Sequence, residues 1–91
     1  MYELKFDNKA DKDIERLKKS GDKQAIKRLG RLLDELKLHP RKGTGKPEPL
    51  RYKSVETWSR QITEKHRLVY EIFEEVVTVD VVNAYGHYGD K

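Results

Sequence analysis

The sequence predicts an α+β domain in which a strand and two helices precede an antiparallel meander, with the helices packed on one face of the sheet. Three observations carry that prediction. Apolar residues recur every three or four positions between Ala10 and Leu36, and the period changes to two from Trp58 onward. Between the two patterns, residues 40–53 hold all three prolines and two of the six glycines, so neither period survives there and the segment reads as a loop.

Taken in order, Tyr2-Glu3-Leu4-Lys5-Phe6 alternates and suits a short strand. Asp7 or Asn8 can cap the first helix, whose apolar face is Ala10, Ile14 and Leu17. Ser20-Gly21-Asp22 breaks that helix and starts the next. There Ile26, Leu29, Leu33 and Leu36 step along one face, widened by Ala25 and Leu32, until Pro40 ends the helix. In the meander, Trp58, Arg60 and Ile62 share one strand face, and Thr63 to His66 turn the chain. Leu68, Tyr70 and Ile72 then share a face of the second strand, with Val69 and Phe73 opposite. Glu74-Glu75 makes the next turn. The following run, Val76 to Val82, is apolar on both faces, as a strand flanked on both sides requires. Residues 1–91 contain no repeat, low-complexity segment or boundary and are read as one domain. A chain of this length buries only roughly 60–65% of its unfolded surface, which makes a stabilising partner useful.

Composition removes several kinds of chemistry. No cysteine is present, so disulfides, zinc–thiolate sites and thiol nucleophiles are excluded. His39, His66 and His87 are scattered, without the close ligand spacing of a metal site. No apolar run is long enough to span a membrane, and the N-terminus lacks a signal-peptide core, so a cytoplasmic location is expected.

The net charge of +4 is concentrated. Residues 37–53 carry Lys37, Arg41, Lys42, Lys46, Arg51 and Lys53 against one acid, Glu48, a local excess of +5. Such a segment attracts a polyanion, because each neutralised phosphate releases counterions. On charge alone, a solvated basic loop is the commoner reading of such a segment.

RNA can be cut by internal attack of the ribose 2′-OH on the adjacent phosphorus. That requires a base, an acid for the leaving 5′-oxygen and cations for the phosphorane. Glu48 sits among cations in the stiff loop. Antiparallel pairing through the Glu74-Glu75 turn brings Arg67 and the segment Tyr85 to Tyr88, which holds His87, to one end of the sheet. Trp58, Tyr85 and Tyr88 are candidate base-stacking rings. Each residue also has a structural reading: Glu48 as the counter-ion of its loop, Arg67 as half of an ion pair, Trp58 and Tyr70 as packing, His66 as a turn residue, His87 as an exposed side chain. The residues alone establish a basic α+β domain and leave RNA binding as one reading of its loop.

Three segments go further. "GKPEPL" (Gly45–Leu50), "WSRQITEKHRLVY" (Trp58–Tyr70) and "YGHY" (Tyr85–Tyr88) resemble the YoeB/Txe branch of the RelE toxins. The resemblance implies a small microbial-RNase-like α+β fold, often homodimeric, and cleavage of mRNA in the A site of the 70S ribosome without a cofactor. It also implies neutralisation by a YefM-like antitoxin and contact with operator DNA only through the antitoxin complex. By position it makes Glu48 the general base, Arg67 the phosphorane-stabilising cation, His87 the general acid and Tyr88 a substrate-positioning residue. Lys46 and Arg51 take the loop positions that bind phosphate, and Lys42, Trp58 and Arg60 join them as expected RNA contacts. Two positions depart from the family's usual "WSRRITEEHRLVY": Gln61 replaces Arg and Lys65 replaces Glu, and Gly89-Asp90-Lys91 extends past the usual terminal His-Tyr. Two other readings use the same scaffold: a ParE-type toxin that poisons DNA gyrase by binding, and a binding module without activity.

Overall fold

The computed structural model describes residues 1–86. Its elements are β1 (Glu3–Phe6), α1 (Asn8–Lys19), α2 (Lys23–Leu38), β2 (Glu48–Pro49), β3 (Thr57–Gln61), β4 (Arg67–Phe73) and β5 (Thr78–Asn83). The sheet order is β1-β5-β4-β3-β2. Strands β3 to β5 form the expected antiparallel meander and β2 adds an antiparallel edge strand to it, but β1 pairs parallel with β5, so the sheet is mixed. The two helices supply the crossover that a parallel pairing needs. This pairing also explains the doubly apolar last strand, which lies between β1 and β4.

Helix and strand periods combine to make a single core. Leu17 of α1 and Ala25, Leu29, Leu32 and Leu36 of α2 pack on Ile62, Leu68, Tyr70, Ile72, Val79 and Val81 of the sheet. The buried stripe of α2 is thus turned slightly from the expected one: Ile26 and Leu33 are only half-buried and line a groove with Leu4 and Phe6. Asp22 caps α2, accepting from the Ala25 amide at 3.1 Å. Asp7 occupies the cap position of α1 without such a bond. At the end of β4, Val76 and Val77 fall outside the strand the sequence suggested. Glu74–Val76 form a 3-10 turn, and Val77 takes a left-handed φ of 47° to re-enter the sheet.

The loop between α2 and β2 is organised from below by Arg60, whose side chain is fully buried on the helix-facing side of β3. Its five N–H groups have five acceptors. Nε donates to the Tyr70 hydroxyl at 2.9 Å, and Nη1 donates to Glu35 Oε1 at 2.8 Å and the Thr44 carbonyl at 3.3 Å. Nη2 donates to the carbonyls of His39 and Lys42. Tyr70 passes the bonding on to the Pro40 carbonyl at 2.7 Å, and Glu35 accepts from both the amide and the hydroxyl of Thr44. Burial pushes the Glu35 carboxyl up, but the Thr44 and Arg60 bonds outweigh it and hold the group below its usual value. Gly43 is required here: with φ of 129°, a Cβ would run into Glu35 Oε1.

A second charged group sits on the opposite sheet face. Asp80 lies between Lys5 of β1 and Glu71 of β4, and its Oδ1 is buried without a hydrogen-bond partner among the described residues. Burial, then the neighbouring Asp7 and Glu71 carboxylates, push Asp80 up from 3.8 to about 6.

Both sites can be tested through stability. Arg60→Leu strands the Glu35 carboxylate and three loop carbonyls and is expected to cost about 3–5 kcal/mol in urea unfolding. Arg60→Lys, with three donors on one nitrogen, is expected to recover only part of that. Full stability of the lysine variant would show that the fork geometry is unimportant. For Asp80, the folded state keeps a proton that the unfolded state loses between pH 3.8 and about 6. Stability therefore falls as pH rises through that window. Asp80→Asn is expected to be more stable than the parent by about 1 kcal/mol at pH 8. The gain should vanish once both states of the parent are protonated. Equal gains at both ends of the range would assign the effect to something other than the proton.

Candidate functional site

Strand alternation decides which side chains meet. Trp58, Arg60 and Ile62 face the helices, so Ser59 and Gln61 face the other way, with Arg67 of β4 opposite Gln61. The segment "KPEPL", expected to be loop throughout, contributes β2, and Glu48 stands opposite Ser59. Glu48, Ser59 and Arg67 therefore share the sheet face away from the helices.

Their geometry is specific. Ser59, 2% exposed, accepts from Arg67 Nε at 2.7 Å and fixes the base of the guanidinium. Arg67 Nη2 lies 3.8 Å from Glu48 Oε1, beyond hydrogen-bond range. The Glu48 side chain is 63% exposed, and among the described residues the Arg67 Nη groups make no hydrogen bond. This is a loose ion pair whose two members both retain unused bonding capacity. It is also partly the structural pairing that the sequence allowed for Arg67.

The last described residue, Gly86, lies at the same place. The Arg67 amide donates to the Gly86 carbonyl at 3.0 Å, and the Gly86 amide donates to His66 Nδ1 at 2.9 Å. The expected meeting of Arg67 with the segment after β5 thus holds as far as Gly86. His87 and Tyr88 lie outside the described residues.

The loop cations Lys42, Lys46 and Arg51 are all exposed. Lys46 has a left-handed φ of 52°, a strained conformation for a residue with a side chain. It is held there because the Gln61 amide donates to the Gly45 carbonyl at 2.7 Å, stitching the loop to β3.

Three sequence-derived contacts need correction. Arg60 has no exposed surface and every N–H is committed, so it shapes the loop and has nothing to offer RNA in this structure. Trp58 lies on the helix side of the sheet, packs against the core and donates to Glu56 at 2.8 Å, on the face opposite Glu48. The Tyr85 ring is half-buried between His66 and the Arg16 guanidinium, each 4.2 Å from it, and is not a free stacking platform. Sequence reasoning also missed residues. Ser59 was recoverable from the same period of two that grouped Trp58, Arg60 and Ile62. Tyr52 is 98% exposed at a φ of 62°, between Arg51 and Lys53, where a loop pattern gives no face to read. Among the described residues, no three His, Asp or Glu side chains form a group able to hold a metal ion, and no helix is long and apolar enough to cross a membrane.

Comparison with known proteins gives the family and the fold. Residues 6–88 match the model of the YoeB-like toxins of bacterial type II toxin-antitoxin systems. Toxin YoeB of Escherichia coli K12 is 40% identical over 58 residues, which are 64% of this chain and 69% of that one. A YoeB/ParE toxin structure from Agrobacterium tumefaciens superposes with a TM-score of 0.85 at 30% identity, covering 94% of this chain and 99% of that one. The toxin in a heterotetrameric YoeB-YefM complex from Staphylococcus aureus gives 0.77 at 27% identity, covering 97% and 99%. Family match and shared fold agree, and this chain belongs to the YoeB-like toxins of bacterial type II toxin-antitoxin systems.

Proposed function

We propose that this toxin is a ribosome-dependent endoribonuclease that cuts mRNA in the A site and so stops translation. The observation that supports it most is the pairing of Glu48 with Arg67 on one sheet face, loose enough for both to take a ligand, with Gly86 bonded to the Arg67 amide. Glu48 accepts the 2′-OH proton, and the freed oxygen attacks the adjacent phosphorus. Arg67, anchored through Ser59, directs its Nη groups at the charge that builds on the phosphorane. His87 gives a proton to the departing 5′-oxygen, leaving a 2′,3′-cyclic phosphate and a 5′-hydroxyl. Tyr88 positions the substrate, and Lys42, Lys46 and Arg51 take phosphates. Tyr52, exposed in that basic segment, replaces Trp58 as the ring available to a base.

In the cytoplasm the toxin is held by a YefM-like antitoxin, as the Staphylococcus aureus relative is in its complex with YefM. It forms a homodimer, like the YoeB dimer from that organism. Operator DNA is reached only through the antitoxin complex.

The deciding experiment programs a defined mRNA into the A site of 70S ribosomes and compares the parent with Arg67→Ala, Glu48→Ala and His87→Ala, and with free mRNA. Cleavage on ribosomes is expected, weak on free RNA. Each substitution should lower the single-turnover rate by about 100-fold or more and relieve growth arrest while circular dichroism stays unchanged. No cleavage, with gyrase-dependent DNA breaks instead, would replace the nuclease by a binding toxin of the ParE type. The parent's rate should show a bell-shaped pH profile, and a flat profile would remove the acid–base roles.

A further inference from the structure

Gly86 is tied through both of its backbone groups to two consecutive residues. Its amide donates to the His66 imidazole at 2.9 Å, and its carbonyl accepts from the Arg67 amide at 3.0 Å. A φ of 72° lets glycine turn both groups toward the start of β4. The preceding residues are held as firmly. The Tyr85 ring lies 4.2 Å from the His66 ring on one contact and 4.2 Å from the Arg16 guanidinium on another. The Ala84 amide donates to Asp13 Oδ2 at 3.0 Å, and Asp13 is itself bound by Lys9 at 2.7 Å. Residues 84–86 thus form a strap clamped between α1 and the turn before β4, and His66, 9% exposed, is at its centre.

From this we infer that His66 is a positioning residue for the proposed reaction. Its Nδ1 lone pair sets where the strap ends relative to Arg67. The inference rests on the nuclease reading, because His87 is the next residue in the chain after Gly86. Arg67 is fixed by Ser59 on one side, and its backbone amide is fixed to the strap on the other. An error in the strap is therefore an error in where Gly86 stands relative to the Arg67 cation, and the proposed acid is the residue that follows Gly86 in sequence. Nucleophile, acid and cation must agree to well under 1 Å, and a displacement of about that size costs on the order of 100-fold in rate.

Two substitutions separate the acceptor from the ring. His66→Phe keeps an aromatic ring against Tyr85 and removes the acceptor. His66→Asn loses the ring and keeps an oxygen close to where Nδ1 stood. Two readouts are used: single-turnover cleavage on programmed 70S ribosomes at increasing toxin concentration, and hydrogen exchange at the Gly86 amide in the isolated toxin. His66→Phe is expected to lose about 10–100-fold in the maximal rate at unchanged half-saturating concentration, with Gly86 exchange accelerated. His66→Asn is expected to restore most of the rate and the protection. Parental rate and protection in His66→Phe, or equal losses in both variants, would overturn the inference. If the parent does not cleave, the nuclease reading falls, while Gly86 exchange in the two variants still decides whether the His66 acceptor holds the strap.

Discussion

A buried guanidinium organises the part of this toxin that holds its candidate site. Removing Arg60 from water would be prohibitive for an unpaired charge. Here every N–H finds an acceptor, three of them carbonyls of one loop and one the carboxylate of Glu35. The same bonds that make the charge tolerable fix residues 39–44 against α2 and β3. Their backbone carbonyls would otherwise face an apolar core. Arginine suits this role because its planar fork offers five donors in set directions, which an ammonium cannot. The loop leaves this hub stitched to Gln61 and delivers Glu48 to the edge of the sheet.

The two sheet faces divide the work. On the helix side, apolar burial supplies stability, and the polar atoms that intrude there are fully bonded. On the far side charges are bonded more sparingly. Arg67 and Glu48 stand 3.8 Å apart, and Asp80 is crowded by Asp7 and Glu71 with Lys5 as relief. The contrast between Arg60 and Arg67 illustrates the division. One is saturated and inaccessible. Among the described residues the other is hydrogen-bonded at Nε alone, and its Nη groups keep their donors. The proposed role of Arg67 at a phosphate needs the second arrangement, since bonds already made inside the protein would have to be broken first.

The strap that closes the described chain shows how a small domain gains precision without bulk. Helix α1 grips it through Asp13 and Arg16, and the turn before β4 grips it through His66. A register slip contributes as well. Between Val69 and Tyr70 the pairing with β5 shifts, so that Asn83 stands opposite Val69 and donates to the Arg67 carbonyl at 3.0 Å. Arg67 is thus held through its side chain by β3 and through its backbone by both Asn83 and Gly86.

Both helices, four of the five strands, their order and the helix-packed face were legible in the sequence, because periods of 3.6 and 2 record which side chains must leave water. It also carried the family, since "KPEPL", "HRLVY" and "YGHY" are contiguous strings, and the folded chain brings Glu48 and Arg67 onto one sheet face. Tertiary structure decided what each polar residue does. Arg60 and Arg67 are alike in type and seven positions apart, and only their strand faces separate a loop scaffold from a half-buried cation with donors to spare. The pattern placed Arg60 beside Ile62, yet its charge argued for the surface. The conflict is resolved by Glu35, Tyr70 and three carbonyls brought in from distant positions. The parallel pairing of β1, the two-residue β2 and the slip beside Val69 were equally hidden. Each depends on which backbone groups find partners across the sheet, and that is settled by the assembled neighbours and not by the local string.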